Sequence, residues 1–555
     1  MSATQKSFWR RRWWQVLLAV LGVFVIGTLI AAKIAADRLE PYVREKLVAY
    51  LEERYKADVD IGRLDLSLPM NDRMTFFITG GKGAKLNFSA HDLKVVQKGM
   101  EDLPPLLVMK RLGVTVDFPT LMADTVIVTH VDLHGFEFTI PPKGRRGSIG
   151  GGGQKTEAEK QEEAQKKEQN DDGTKAPVVL VEHIVADGMK LTILPAKEGK
   201  APLIFDMKKL HLFGAAPGEP MRYEAELTNP KPPGIVHSTG TFGPFVVDEP
   251  GDTPLGGDYL FEKADLSVFK GIRGILKSTG KFDGHLNHIV ADGVSDTPDF
   301  GLSYSKNTIR LQTKYHAIID GTNGNTRLEP VEATIGTSTM ICEGAVERYP
   351  GENGKTVALH VKMNGANMHD ILTLAMKDAN IPLKGKLTMD VDLKIPPGKQ
   401  DYSDRLEVSG KFDLHDGQFT QKATRDKLAD MSNRASGTPN EAPDDVTSDF
   451  QGRFNLAKQV LHLQHLRFMI PGAEVNLDGS YNLSSDNLDF HGTLHTDAKL
   501  SQMMKTRWKR WALKPVDPFF KAEGGGSKFN IKIVGNRSSP DFGLERGRKD
   551  DKKKN

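Results

Sequence analysis

The stretch LTMDVDLKI, residues 387–395, alternates without exception. Leu387, Met389, Val391, Leu393 and Ile395 are apolar, while Thr388, Asp390, Asp392 and Lys394 are polar. Successive side chains of an extended strand point to opposite faces, so a strict period of two predicts a sheet with one dry face and one wet face. The pattern returns in EVNLDGSYNL (Val475, Leu477, Tyr481, Leu483), in NLDFHGTL (Leu488, Phe490, Leu494) and in KFNIKIVG (Phe529, Ile531, Ile533). It begins early, in IGRLDLSL, with Leu64, Leu66 and Leu68 on one side. A chain built this way is mainly β and antiparallel.

The strands share internal punctuation. STGKFDG, LKGKLTM, VSGKFDL, FQGRFNL, LDGSYNL and FHGTLHT each place glycine two residues ahead of an aromatic or a leucine. Glycine inside a strand marks a bulge, a bend or a close backbone approach. Its repetition predicts an elongated sheet that keeps curving the same way, a stack of similar rungs. The hexapeptide TPDFGL, residues 297–302, returns as SPDFGL at 539–544, each with a glycine five residues before its proline, Gly293 and Gly535. Proline removes a ladder donor and glycine frees the backbone, so each copy is read as the turn that ends a run of rungs. The 54 glycines and 30 prolines among 555 residues, with 38% hydrophobic content, fit many short elements separated by turns.

Ahead of the strands, residues 13–32, WWQVLLAVLGVFVIGTLIAA, carry no charge. Twenty helical residues at ~1.5 Å each cross ~30 Å of hydrocarbon. This predicts a transmembrane anchor with Trp13, Trp14, Leu17, Leu21, Phe24 and Leu29 among its lipid-facing residues. Lys6, Arg10, Arg11 and Arg12 precede it and predict a cytoplasmic N-terminus. A cleaved signal peptide is the competing reading, but its apolar region is usually shorter, ~7–15 residues. Val43, Leu47, Tyr50, Leu51 and Tyr55 follow at helical spacing and predict a helix over 41–56. Residues 143–176 combine a glycine run with a charged stretch that has no apolar pattern, a solvated linker. Residues 426–446, rich in Ser, Asn, Pro and Asp, read as a second loop.

The domain reading is therefore a cytoplasmic tail and anchor over 1–36, a helix and strands over 37–142, the linker over 143–176 and a repetitive β domain over 177–498. A closing helix and strands follow over 499–545, and a basic tail over 546–555.

Signs of catalysis are missing. There is no HExxH, no GxSxG and no cysteine pair, since Cys342 is the only cysteine and reads as a small buried apolar residue. SIGGGGQKT has Gln154 where a phosphate-binding loop needs glycine before its lysine. Of the histidine pairs 130/134, 285/288, 462/465 and 491/495, the first and last could share a face, but neither has an accompanying Glu or Cys at zinc spacing. On a strand, the i, i+3 pairs would face opposite sides. Both Asp-Val-Asp triplets, at 58–60 and 390–392, put their carboxylates on the wet face. DGTNGNT, residues 320–326, reads as a turn rather than a calcium loop. No cofactor and no metal are expected. A net charge of +3 makes no case for nucleic acid.

Residues 499–520 form the one distinctive contact segment. Lys505, Arg507, Lys509 and Arg510 lie among Leu500, Met503, Met504, Trp508 and Trp511. Helical spacing gathers Leu500, Met504, Trp508 and Trp511 on one side. Such a helix suits a lipid interface, or it caps one end of the apolar face.

YLEERYKADVDIGRLDLSL after an apolar anchor resembles the N-terminal signature of the AsmA family. LKPVDPFFKAEGGGSKFNIKIVGNRSSPDFGLERG is similar to the family's C-terminal region. DYLFEKADLSVFKGIRGILKSTGKFDG and HAIIDGTNGNTRLEPVEATI also resemble it. The resemblance touches both ends and the middle. It implies an inner-membrane, single-pass protein whose β-rich body lies in the periplasm of a diderm bacterium. It also implies kinship with bridge-like lipid-transfer proteins, whose rolled sheet forms an apolar groove closed by a few short helices.

On that reading the chain is no enzyme. It takes part in phospholipid transport or lipid homeostasis between the inner and outer membranes. The groove candidates are Leu387, Met389, Val391, Leu393, Ile395, Val475, Leu477, Leu488, Phe490, Phe529, Ile531 and Ile533. Residues 499–520 would meet the outer membrane's inner leaflet or an envelope protein. The alternatives are a structural or assembly factor that tethers envelope components, with the apolar side chains sealed in a core, and an envelope hydrolase, for which no catalytic set is found.

Overall fold

A computed structural model describes residues 57–67, 82–98, 102–142, 178–194, 202–216, 218–244 and 250–545, with short breaks at 270, 350, 353, 377–379 and 442–445 and isolated positions at 45, 48, 52, 78, 79 and 246. The expected anchor with Trp13, Trp14, Leu17, Leu21, Phe24 and Leu29, the linker 143–176 and the tail 546–555 lie outside the described residues. No described helix is long and apolar enough to cross a membrane. Positions 45, 48 and 52 are helical, within the helix expected over 41–56. The described chain is mainly β and forms two compact units, residues 1–230 with 236–255, and residues 231–235 with 256–555.

The first unit holds β1 (Ala57–Ser67), β2 (Lys85–Gln97), β3 (Leu107–Asp117), β4 (Thr125–Ile140), β5 (Val178–Ile193), β6 (Leu203–Ala215) and β7 (Met221–Pro230), with most of β8 (Pro233–Phe242). Pairing is antiparallel from β1 to β4 and again from β5 to β7. The β4–β5 pair is parallel, which the antiparallel expectation missed. Each of these two strands has 16 residues. At ~3.3 Å per residue the chain must return about 50 Å between them. Parallel pairing needs such a crossover between the two strands. One apolar row runs through seven strands: Leu64, Ala90, Leu112, Leu133, Ala186, Leu210 and Ala225 lie opposite one another in turn.

The second unit holds most of β9 (Pro254–Asp265), then β10 (Ile272–Arg273), β11 (Ile275–His285), β12 (His288–Leu302), β13 (Ile309–Ile319), β14 (Thr326–Ile335), β15 (Ser338–Glu347) and β16 (Thr356–Asn367). After these come β17 (Leu383–Ile395), β18 (Glu407–Phe419), β19 (Ser448–Ala457), β20 (Val460–Ile470), β21 (Ala473–Asn482), β22 (Asn487–Thr496), β23 (Ser527–Asn536) and β24 (Ser539–Leu544). From β11 to β24 each strand pairs antiparallel with the next. Strand β9 adds to β11, and β10 pairs with the end of β12. Tight turns enforce this meander. Between β19 and β20 the two connecting residues, Lys458 and Gln459, both take positive φ, 50° and 62°. That twist matches the flanking strands.

Residues 426–435 are not loop: a helix covers Lys422–Ala435 and buries Leu428, Ala429, Ser432 and Ala435. Those four recur at three- and four-residue steps, but two are alanine and one is serine, so hydropathy alone conceals the buried stripe. The doubled PDFGL motif is not a terminal turn either. TPDFGL closes the long strand β12, with Pro298 in a bulge between Thr297 and Phe300. SPDFGL is itself the edge strand β24, with Pro540 opposite Gly535. Bulges and edges are the places where a sheet tolerates a missing N–H donor.

Candidate functional site

The strand register gathers all twelve groove candidates on one face of the second unit. Val391 lies opposite Val361 and Gly410, while Phe490 lies opposite Gly479 and Ile533. These positions belong to one row through eleven strands: Val331, Cys342, Val361, Val391, Gly410, Phe454, Leu463, Gly479, Phe490, Ile533 and Phe542. Leu393 and Leu488 sit in a second row, through Val408, Leu456, Leu461 and Tyr481. Leu387, Val475 and Phe529 sit in a third, through Leu414, Phe450, Phe468 and Leu494. Met389 lies opposite Met363 and Phe412, Leu477 opposite Gly492, Ile531 opposite Gly492 and Leu544, and Ile395 opposite Val357.

Exposure varies along this face. Leu387, Val391, Leu477, Phe490 and Phe529 are buried, whereas Met389, Leu393, Ile395, Val475, Leu488, Ile531 and Ile533 are half-buried. At the free edge the face opens to solvent, with Phe542 71% and Leu544 65% exposed. The third row is partly covered by the helix Met368–Ala375, whose Met368 and Ile371 pack against Met363, Ala366, Leu387 and Leu414. Asp370 anchors that helix, its carboxylate accepting from the Thr337 N–H at 2.8 Å, the Thr337 hydroxyl at 2.7 Å and the Ser338 hydroxyl at 2.9 Å.

Small residues decide how side chains lie on this face. Tyr259 and Tyr315 lean across β11 and β12 until their hydroxyls bond each other, and Ser278 joins them. They meet over Gly293, where a Cβ would stand 2.6 Å from the Tyr259 hydroxyl and 2.7 Å from that of Tyr315. Burial pushes the Tyr315 phenol well above its usual range. Sequence reasoning singled out none of Val331, Phe454, Leu463, Phe542, Tyr259 or Tyr315. The Gly-x-aromatic spacing was the available signal for Phe454, but only the register shows which glycine each ring covers.

The wet face binds its histidines to acids. His360 lies 2.7 Å from Asp392 and 3.4 Å from Asp390, which is also 3.6 Å from Lys411. The second Asp-Val-Asp triplet is thus a surface ion network. His316 is 2.7 Å from Asp292, and His491 is 3.0 Å from Asp489 and 3.3 Å from Glu545. In both cases the bonded carboxylates raise the imidazole pKa. The i, i+3 pairs depart from simple alternation: His285 and His288 face each other across a two-residue turn, and His465 sits in a bulge with φ 51°. Among the described residues no group of three or more His, Cys, Asp or Glu is placed to hold a metal ion. In the 320–326 turn the Asp320 carboxylate accepts from the Thr322 N–H and hydroxyl and from the Asn323 amide.

The segment 499–520 is less helical than its spacing predicts. The α-helix covers only Arg507–Leu513, followed by a 3₁₀ turn at Lys514–Phe520. Leu500 and Met504 precede the helix and are half-buried, so the expected four-residue apolar stripe does not form. Pro515 and Pro518 stop the helix. Trp508 and Trp511 instead point outward, 65% and 78% exposed. Lys505 pairs with Asp430 at 2.6 Å, and the Arg510 Nε donates to the Met504 carbonyl at 2.6 Å. Searches of protein families, of curated proteins and of solved structures return nothing that matches this chain.

Proposed function

We propose that the apolar face of the second unit carries the acyl chains of phospholipids, in a membrane-anchored protein that moves lipid between the membranes of a diderm envelope. The supporting observation is the row from Val331 to Phe542, which stays apolar or glycine through eleven strands and ends at a solvent-exposed edge. The row is buried at Val331 and opens to solvent at Phe542, which favours a trough over a core sealed at both ends. An acyl chain in water costs ~0.8 kcal/mol per exposed CH₂, so a long tail meets a barrier of about 10 kcal/mol. A continuous apolar surface removes most of that barrier without any reactive residue. The AsmA-like stretches at both ends of the chain agree with this reading.

Native mass spectrometry of the full chain extracted from membranes tests it. Phospholipid that stays bound to the protein, and is displaced by added fatty acid, is the expected result. A lipid-free protein that takes up none of a fluorescent phospholipid would leave a packed structural or tethering sheet as the better account.

A further inference from the structure

We infer that residues 505–521 form a docking knob for an anionic phospholipid bilayer surface. Three large apolar side chains stand nearly free in solvent: Trp508 at 65%, Trp511 at 78% and Phe519 at 84% exposure. Exposing that much aromatic surface in one short segment is costly unless something covers it.

The charge around these rings selects the cover. Six cations fall within 505–521 against one carboxylate, Asp517, while the whole chain carries only +3. Asp517 is already engaged, accepting from the Ser501 N–H at 2.8 Å and hydroxyl at 2.6 Å. Those bonds, with the Lys505–Asp430 pair at 2.6 Å and the Phe520 ring tilted against Phe529 with centroids 5.1 Å apart, fix the knob to the helix Lys422–Ala435 and to β23. Arg507, Lys509 and Lys514 stay exposed beside the rings.

Aromatic side chains ringed by Lys and Arg match the boundary between acyl chains and anionic headgroups, where rings enter and cations remain at the phosphate level. A second copy of the same cationic knob would be repelled. The inference does not rest on the lipid-carrying reading: a protein with an empty apolar face could still dock this way.

The test uses the full chain held in a zwitterionic nanodisc, in a Cys342→Ala/Ala512→Cys background carrying an environment-sensitive fluorophore. Cys342 is the only native cysteine, so labelling is specific. Adding vesicles of phosphatidylcholine mixed with phosphatidylglycerol should shift the emission to the blue, and salt should weaken the effect. Lys509→Glu with Lys514→Glu should lower vesicle affinity roughly tenfold or more. Trp508→Ala with Trp511→Ala should abolish the shift while leaving thermal unfolding unchanged.

No shift with anionic vesicles overturns the inference. So does an equal shift with pure phosphatidylcholine. A vesicle-independent shift that grows with protein concentration and disappears in the double tryptophan variant would assign the knob to a second copy instead.

Discussion

Phe412 lies directly across the ladder from Gly452, its ring edge 3.3 Å from where a Cβ on that glycine would stand. The arrangement is reciprocal, because Phe454 lies across from Gly410 on the same two strands, and the two rings sit 6.3 Å apart. The repeated Gly-x-Phe spacing therefore encodes a cross-strand fit. On this pair the Phe412 ring falls over Gly452, while Gly410, opposite Phe454, is approached from β17 by the Val391 side chain at 3.0 Å.

The fit predicts unequal costs for two alanine substitutions. A Cβ at Gly410 would stand 2.4 Å from the Asp390 carbonyl oxygen, which is backbone. At Gly452 the nearest atoms are 3.3 Å away. Gly410→Ala should destabilise by roughly 1–3 kcal/mol through strain, and Gly452→Ala by clearly less. Hydrogen exchange of β17 to β19 amides reads the difference; equal protection in both variants would refute it.

The apolar face predicts where a charge stops lipid and where it stops folding. Val391 is 6% exposed and packs over Gly410, so Val391→Asp should unfold its neighbourhood. Ile531 is half-buried, so Ile531→Asp should keep the sheet and lose most bound phospholipid. The adjacent Asn530 points to the other face and is exposed, making Asn530→Asp the control. Circular dichroism with lipid quantitation decides among the three. Full lipid retention in folded Ile531→Asp would count against the trough.

Asp370 predicts acid sensitivity of the helix Met368–Ala375. Burial on its own would raise this carboxyl, but the bonds from Thr337 and Ser338 and the neighbouring His369 outweigh it and lower the pKa. A depressed carboxylate stabilises the fold above its unfolded-state value, and the contribution is lost as pH falls through the folded value. Asp370→Ala should cost roughly 2–3 kcal/mol near neutral pH and much less in acid, below the usual carboxylate range. Thermal unfolding across pH checks this, and a pH-independent difference would exclude the carboxylate as its source.

His316 predicts the opposite sign. The hydrogen bond to Asp292 raises its pKa against the opposing effect of burial, and the charges of Asp292 and Glu329 add to the rise. Such a group contributes below its unfolded pKa and loses that contribution as pH rises through the folded value. An NMR titration should place the His316 midpoint above about 6.5, and Asp292→Asn should bring it back down. The surface is open, so the effect on stability should be small and salt-sensitive.

Much of this protein was legible as sequence because its dominant constraint is local. Alternation in LTMDVDLKI or KFNIKIVG fixes which side chains share a face whatever the strand's neighbours are, since geometry alone sends Leu387 and Val391 one way and Asp390 the other. Glycine ahead of an aromatic announces a close approach for the same reason. Register is a different matter, because it depends on which distant residue arrives opposite. Only the tertiary structure set Phe412 over Gly452, brought Tyr259 and Tyr315 together above Gly293, made SPDFGL an edge strand rather than a turn and paired β4 with β5 in parallel. It also turned Trp508 and Trp511 outward, where helical spacing had foreseen a continuous stripe. Two prolines and the contacts of Asp517 and Lys505 shorten that helix, and those contacts exist only once the sheet has formed.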